Sequence, residues 1–145
     1  MIIRNILQDL ERWKGSSFRK PLIVRGARQT GKTHAVRAFA QKHYQNLFYL
    51  NLEKEAELRL FEEVLDAKEQ LKILETYFGR KIDVENSLLF IDEIQHSNIA
   101  LQMLRYFYED LPDLHLIAAG SLLEITLKDL ELSFPVGRVQ YLYMH

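Results

Sequence analysis

The sequence predicts an α/β fold in three layers: a mostly parallel, five-stranded sheet with helices on both faces. Three observations carry that expectation. Short apolar runs alternate with longer stretches of helical periodicity along the chain, the order expected of a parallel sheet with crossover helices. Leu88-Leu89-Phe90-Ile91 is continuously apolar, as a strand covered on both faces must be. A glycine-bearing loop from Gly26 to Thr33 joins an apolar run to a helical stretch, and parallel sheets bind ligands at the carboxyl ends of their strands.

The elements follow in order. Ile3, Ile6, Leu7, Leu10 and Trp13 recur at helical spacing, which predicts an amphipathic first helix, ended by Gly15-Ser16-Ser17. Pro21 leads into a buried strand, Leu22-Ile23-Val24. After the loop, Ala35, Val36, Ala38, Phe39 and Ala40 line the packed side of a helix. Leu47 to Leu50 is the second strand. The charged, periodic stretch from about Lys54 to Phe78 reads as two helices, punctuated by Gly79. Leu88 to Ile91 is the third strand, and Ile99, Leu101, Leu104, Phe107 and Tyr108 mark a helix ending before Pro112. Leu114 to Ala119 is the fourth strand, a short helix is expected over 122–130, and Val139 to Tyr143 is the fifth strand. Residues 1–20 are expected to form a helix and linker packed on a core domain of 21–145.

Bulk properties bound the function. A chain of 145 residues suits one compact domain, which buries about 70% of its unfolded surface and needs no staples. A formal net charge of −1 argues against a protein that grips nucleic acid or anionic lipid over its whole surface. It leaves room for a local basic patch. The chain has no cysteine, which excludes disulfides, thiolate metal sites and cysteine nucleophiles. No apolar run approaches the roughly 18–20 residues needed to cross a bilayer, and the first ten residues are interrupted by charge, unlike a signal peptide. A cytoplasmic protein without a membrane partner is the default expectation.

Gly26-Ala27-Arg28-Gln29-Thr30-Gly31-Lys32-Thr33 matches G-x-x-x-x-G-K-[ST] in full. Gly26 and Gly31 permit backbone angles that other residues resist, so the loop can turn its N–H groups toward phosphate oxygens. The following helix, on which His34 comes next, adds its positive N-terminal end. Lys32 offers a charge to the β- and γ-phosphates, and Thr33 a hydroxyl to Mg2+. The plain alternative is a chance glycine turn, and four fixed positions in the right strand–helix context weigh against it. The third strand closes on Asp92-Glu93. Asp92 would face the loop and bind magnesium through water, and Glu93 would orient or deprotonate an attacking water. An apolar strand that simply turns polar on reaching solvent is the competing explanation, made less attractive by the loop upstream. Together the motifs point to binding and hydrolysis of ATP or GTP with Mg2+, with Lys32 and Glu93 as the catalytic residues, to which only the family resemblance described next adds Ser121.

These residues resemble the AAA+ and related ATPases, the division with a glutamate after the second-motif aspartate. Lys20 to Thr33, then Leu89-Phe90-Ile91-Asp92-Glu93-Ile94-Gln95, then Ala119-Gly120-Ser121, are similar to a bacterial and archaeal group that pairs an N-terminal AAA-like ATPase domain with a C-terminal domain of unknown function. The resemblance implies a P-loop NTPase core, ATP and ADP as ligands, and a polar sensor at the end of the fourth strand. Ser121 occupies that place, and capping the next helix is its alternative or additional role. Arg138, in Phe134-Pro135-Val136-Gly137-Arg138, is a candidate for phosphate or a neighbouring subunit, or for a structural ion pair. Arg28 either helps to bind phosphate or holds the first helix. The chain stops at His145, just after the fifth strand, whereas members of the group are longer and many AAA+ proteins carry a helical lid there. The expectation is therefore the N-terminal part of a longer protein, without lid or second domain. Oligomerisation stays open, and nucleic-acid binding rests on analogy of fold alone.

Other residues tempt less. His34, His43, His96, His115 and His145 lack metal-ligand spacing. Tyr106, Phe107 and Tyr108 read as packing rather than a base-stacking platform, the stretch from Glu53 to Lys72 as a solvated helical face, and Trp13 as core rather than adenine site. The rival to an ATPase is a nucleotide-gated interaction module that binds ATP with little or no turnover. A nucleoside or small-molecule kinase is a third reading, weakened by the acidic pair and the lack of an arginine-rich lid segment.

Overall fold

The computed structural model describes residues 2–26, 31–121 and 139–144. Five parallel strands, β1 (Leu22–Gly26), β2 (Asn46–Asn51), β3 (Ser87–Asp92), β4 (His115–Ser121) and β5 (Gln140–Tyr143), form one sheet in the order β2-β3-β4-β1-β5. The helices among the described residues are α1 (Ile2–Gly15), α2 (Lys32–His43), α3 (Glu55–Leu58), α4 (Ala67–Phe78) and α5 (Asn98–Asp110), with a 3-10 turn at Ile94–His96. None is long and apolar enough to cross a membrane.

Alternation along the strands divides the core into two layers. Ile23, Phe48, Leu50, Leu89, Ile91, Leu116 and Ala118 face one side, where they pack with Leu74 of α4 and Leu101, Leu104 and Phe107 of α5. Leu22, Val24, Leu88, Phe90, Ile117 and Ala119 face the other, against Ile6, Leu10 and Trp13 of α1 and Ala35, Val36, Phe39 and Ala40 of α2. Every residue of β3 is buried, which explains its unbroken apolar run. Trp13 is a core residue: its indole N–H donates to the Lys20 carbonyl at 2.7 Å.

Local chemistry sets the boundaries. Asp66 accepts from the Lys68 amide at the start of α4, and Ser97 from the Ala100 amide at the start of α5, each supplying a partner to an otherwise orphaned donor. Gly79 ends α4 in the left-handed conformation (φ 72°), the usual use of glycine there. At the β2 edge of the sheet, Arg80 donates to the Leu47 carbonyl and stacks on Phe48, so a charged side chain covers part of an open edge.

The charged stretch after β2 forms the two expected helices, α3 and α4, but departs from expectation in their extent and in the solvated face. Only one helical turn forms at α3, and the face is not wholly solvated. Glu57 is 9% exposed and accepts from the Asn51 amide at 2.6 Å and the Tyr77 hydroxyl at 2.7 Å. Gln70 is buried and donates to the Leu60 carbonyl. Polar residues with helical spacing are indistinguishable from a wet face until their partners are placed. The fourth strand runs two residues further than expected and includes Gly120 and Ser121. The helix expected over 122–130 and the segment around Arg138 lie outside the described residues.

Candidate functional site

Strand parity explains how the site assembles. Gly26 follows Val24 by two residues, Asp92 follows Phe90, and Ser121 follows Ala119, so all three belong to the α2 side of the sheet at its carboxyl edge. The order places β4 between β1 and β3, and Ser121 is in register with Gly26. The strand that leads into the loop, the strand with the acidic pair and the strand with the serine therefore converge.

At the loop, Gly31 adopts φ 83° and precedes the first residue of α2, a left-handed conformation that costs other residues about 1–2 kcal/mol. Gly26 is the last residue of β1. The Lys32 ammonium donates to the Gly26 carbonyl at 3.0 Å, tying the two ends of the loop together. Ala27, Arg28, Gln29 and Thr30 lie outside the described residues. His34 is exposed on the first turn of α2.

The Thr33 hydroxyl donates to Asp92 Oδ2 at 2.6 Å, across 59 residues of chain. Asp92 is 5% exposed and accepts two more bonds, from the Tyr49 hydroxyl to Oδ2 at 2.8 Å and from the Glu93 amide to Oδ1 at 2.9 Å. These three donors are neutral: they solvate the carboxylate without cancelling its charge. Thr33 spends its one proton on Asp92, which leaves the lone pairs of its oxygen to offer to a cation. A hard divalent ion takes oxygen ligands of this kind, so the pair fits magnesium.

Glu93 has φ 55° and ψ 44°, and is the one non-glycine residue of positive φ among the described residues. Strained backbone of this sort persists where the surroundings enforce it. Here the turn Ile94–His96 and the bond from its own amide to Asp92 do so. The Glu93 carboxylate accepts from Gln95 Nε2 at 3.3 Å.

The sequence motifs thus bring Lys32, Thr33, Asp92, Glu93 and Ser121 to one edge. Tyr49 was not singled out from sequence, yet it touches Asp92. Its ring lies against Phe90, with the Arg37 guanidinium 4.8 Å from the ring centre. Burial, and then the hydrogen bond to Asp92, raise its pKa, so it stays a proton donor. The clue was positional: Tyr49 has the same parity as Leu47, on the face that carries Phe90 and Asp92.

No group of three or more histidine or acidic residues is placed to hold a metal among the described residues. His43 contacts Glu11 at 2.8 Å, and His115 pairs with the Tyr44 hydroxyl. Phe107 is buried, with Tyr106 and Tyr108 half-buried beside it, in keeping with packing.

Fold and site define a nucleotide-binding domain of the AAA+ ATPase type with a P-loop. Comparison with known proteins adds the family: the chain belongs to the one described as AAA domain, whose model matches residues 18–145. No curated protein matches it. Among solved structures it is similar to the Orc1 protein of Aeropyrum pernix, in a structure with DNA, with a TM-score of 0.56 and 15% identity. That match covers 99% of this chain and 44% of the Orc1 chain; at this identity it speaks for the fold alone.

Proposed function

We infer that this domain binds ATP with magnesium and hydrolyses it. The observation that carries the reading is the 2.6 Å contact between Thr33 and Asp92, which joins the end of the phosphate loop to the acidic strand end. Loop amides and the N-terminal end of α2 receive the phosphates, with Gly26 to Thr33 and His34 lining that side, and Lys32 supplies a fixed positive charge. Thr33 and Asp92 would hold the magnesium ion, which when bound neutralises charge on the β- and γ-phosphate oxygens. Glu93 takes a proton from the attacking water. Ser121, on the strand between the loop and the acidic pair, reads the γ-phosphate. Preference for ATP over GTP rests on membership in the AAA domain family.

Steady-state phosphate release tests the assignment. Glu93→Gln, which keeps shape but cannot take the proton, should lower turnover by about 100-fold or more while Mg-ATP affinity changes little. Unchanged hydrolysis would remove Glu93 as the base. Tight binding with negligible turnover in the unaltered chain would instead support a nucleotide-gated interaction module.

A further inference from the structure

We propose that Tyr49 is a positioning residue for the magnesium pair, holding Asp92 in the orientation that Thr33 and the metal need. The inference rests on the reading of Thr33 and Asp92 given above. Tyr49 lies on β2, opposite Phe90 in the register with β3, two positions short of the end of its strand. From there its hydroxyl reaches Asp92 Oδ2 at 2.8 Å.

Asp92 Oδ2 receives both hydroxyls, Thr33 and Tyr49, while Oδ1 receives the Glu93 amide. The amide is fixed by the backbone and the tyrosine by its packing. The tyrosine ring is held between Phe90 of β3 and Arg37 of α2, the helix that also carries Thr33. One side chain thereby ties α2, β2 and β3 together at the metal pair. Thr33 has a double task, since its oxygen must face a cation as well as Asp92. Tyr49 holds the same Oδ2 from the β2 side, and its hydroxyl has no second partner to serve among the described residues. It is not itself a ligand in this arrangement, because its proton is committed to the carboxylate. Partners that orient a metal-binding carboxylate typically account for 10–100-fold in metal affinity.

The test is equilibrium binding of ATP across a range of Mg2+ concentrations and in EDTA, for the unaltered chain and for Tyr49→Phe. Phenylalanine keeps the ring between Phe90 and Arg37 and removes only the hydroxyl. The half-saturating Mg2+ concentration should rise about tenfold, with affinity for metal-free ATP unchanged. In an Asp92→Asn background the same substitution should add nothing, because its effect passes through the carboxylate. A second hydroxyl-free variant, Tyr49→Leu, should shift the Mg2+ requirement in the same direction.

An unchanged Mg2+ requirement in Tyr49→Phe would overturn the inference. So would an equal loss of affinity with and without Mg2+, or a tenfold rise that persists alongside Asp92→Asn; both describe a structural role. If nucleotide binding by the unaltered chain ignores Mg2+, the metal pair itself is wrong and this inference falls with it. If that binding responds to Mg2+ and Tyr49→Phe behaves identically, only the inference fails.

Discussion

Asp92 shows what a single residue can and cannot disclose before its neighbours are known. Its place after four apolar residues marks it as a strand end, and the lysine–threonine pair upstream marks Thr33 as its natural partner. Both features are local in sequence, so a shared magnesium site was expected of the two residues, whereas the direct 2.6 Å hydrogen bond between them was not. Tyr49 was hidden because tyrosine is an ordinary strand residue, and its contact depends on pairing register as well as parity. Glu57 was hidden for a similar reason: its partners, Asn51 and Tyr77, lie on different elements. His115 carries a prediction at this scale. Burial, with smaller contributions from Arg19 and Lys14, lowers its pKa from 6.5 to about 4. The folded chain therefore binds fewer protons there than the unfolded chain between those values. Stability from this group is complete above pH 6.5 and is lost as pH falls toward 4. His115→Gln should flatten that part of the stability–pH curve in urea melts. An unchanged slope would show that other groups govern acid sensitivity.

Elements were legible where periodicity and punctuation agreed. The first helix, the helix after the phosphate loop and the one before Pro112 all form where apolar spacing places them. The stretch from Lys54 to Phe78 was less legible, because its many charges carry helical periodicity through a segment that builds only one turn before α4. What fixes α4 is its ends, Asp66 and Gly79. The glycine can be tested directly. Nothing lies within 4 Å of a Cβ placed at Gly79, so Gly79→Ala meets no clash and suffers only the cost of positive φ. Stability should fall by about 1–2 kcal/mol, seen as a lower urea midpoint with unchanged slope, and Gly79→Asn should lose less. A neutral Gly79→Ala would mean that α4 ends independently of its cap.

For the whole molecule, alternating strands and helices announced the parallel sheet but not its order. Strand order depends on pairings between distant segments: β4, late in the chain, inserts between β1 and β3. That insertion brings Ser121 to the site and separates the loop from Asp92 by one strand, leaving Thr33, on the helix after the loop, to close the gap. The central claim is that this edge holds the phosphates of a magnesium nucleotide. Equilibrium binding of Mg-ATP and Mg-GTP to the unaltered chain and to Lys32→Ala tests it most directly. Losing a charged hydrogen-bonding group is worth about 1.5–3 kcal/mol, so affinity for Mg-ATP should fall at least about tenfold, with GTP the weaker ligand throughout. Equal affinity of Lys32→Ala and the unaltered chain for Mg-ATP would contradict the account.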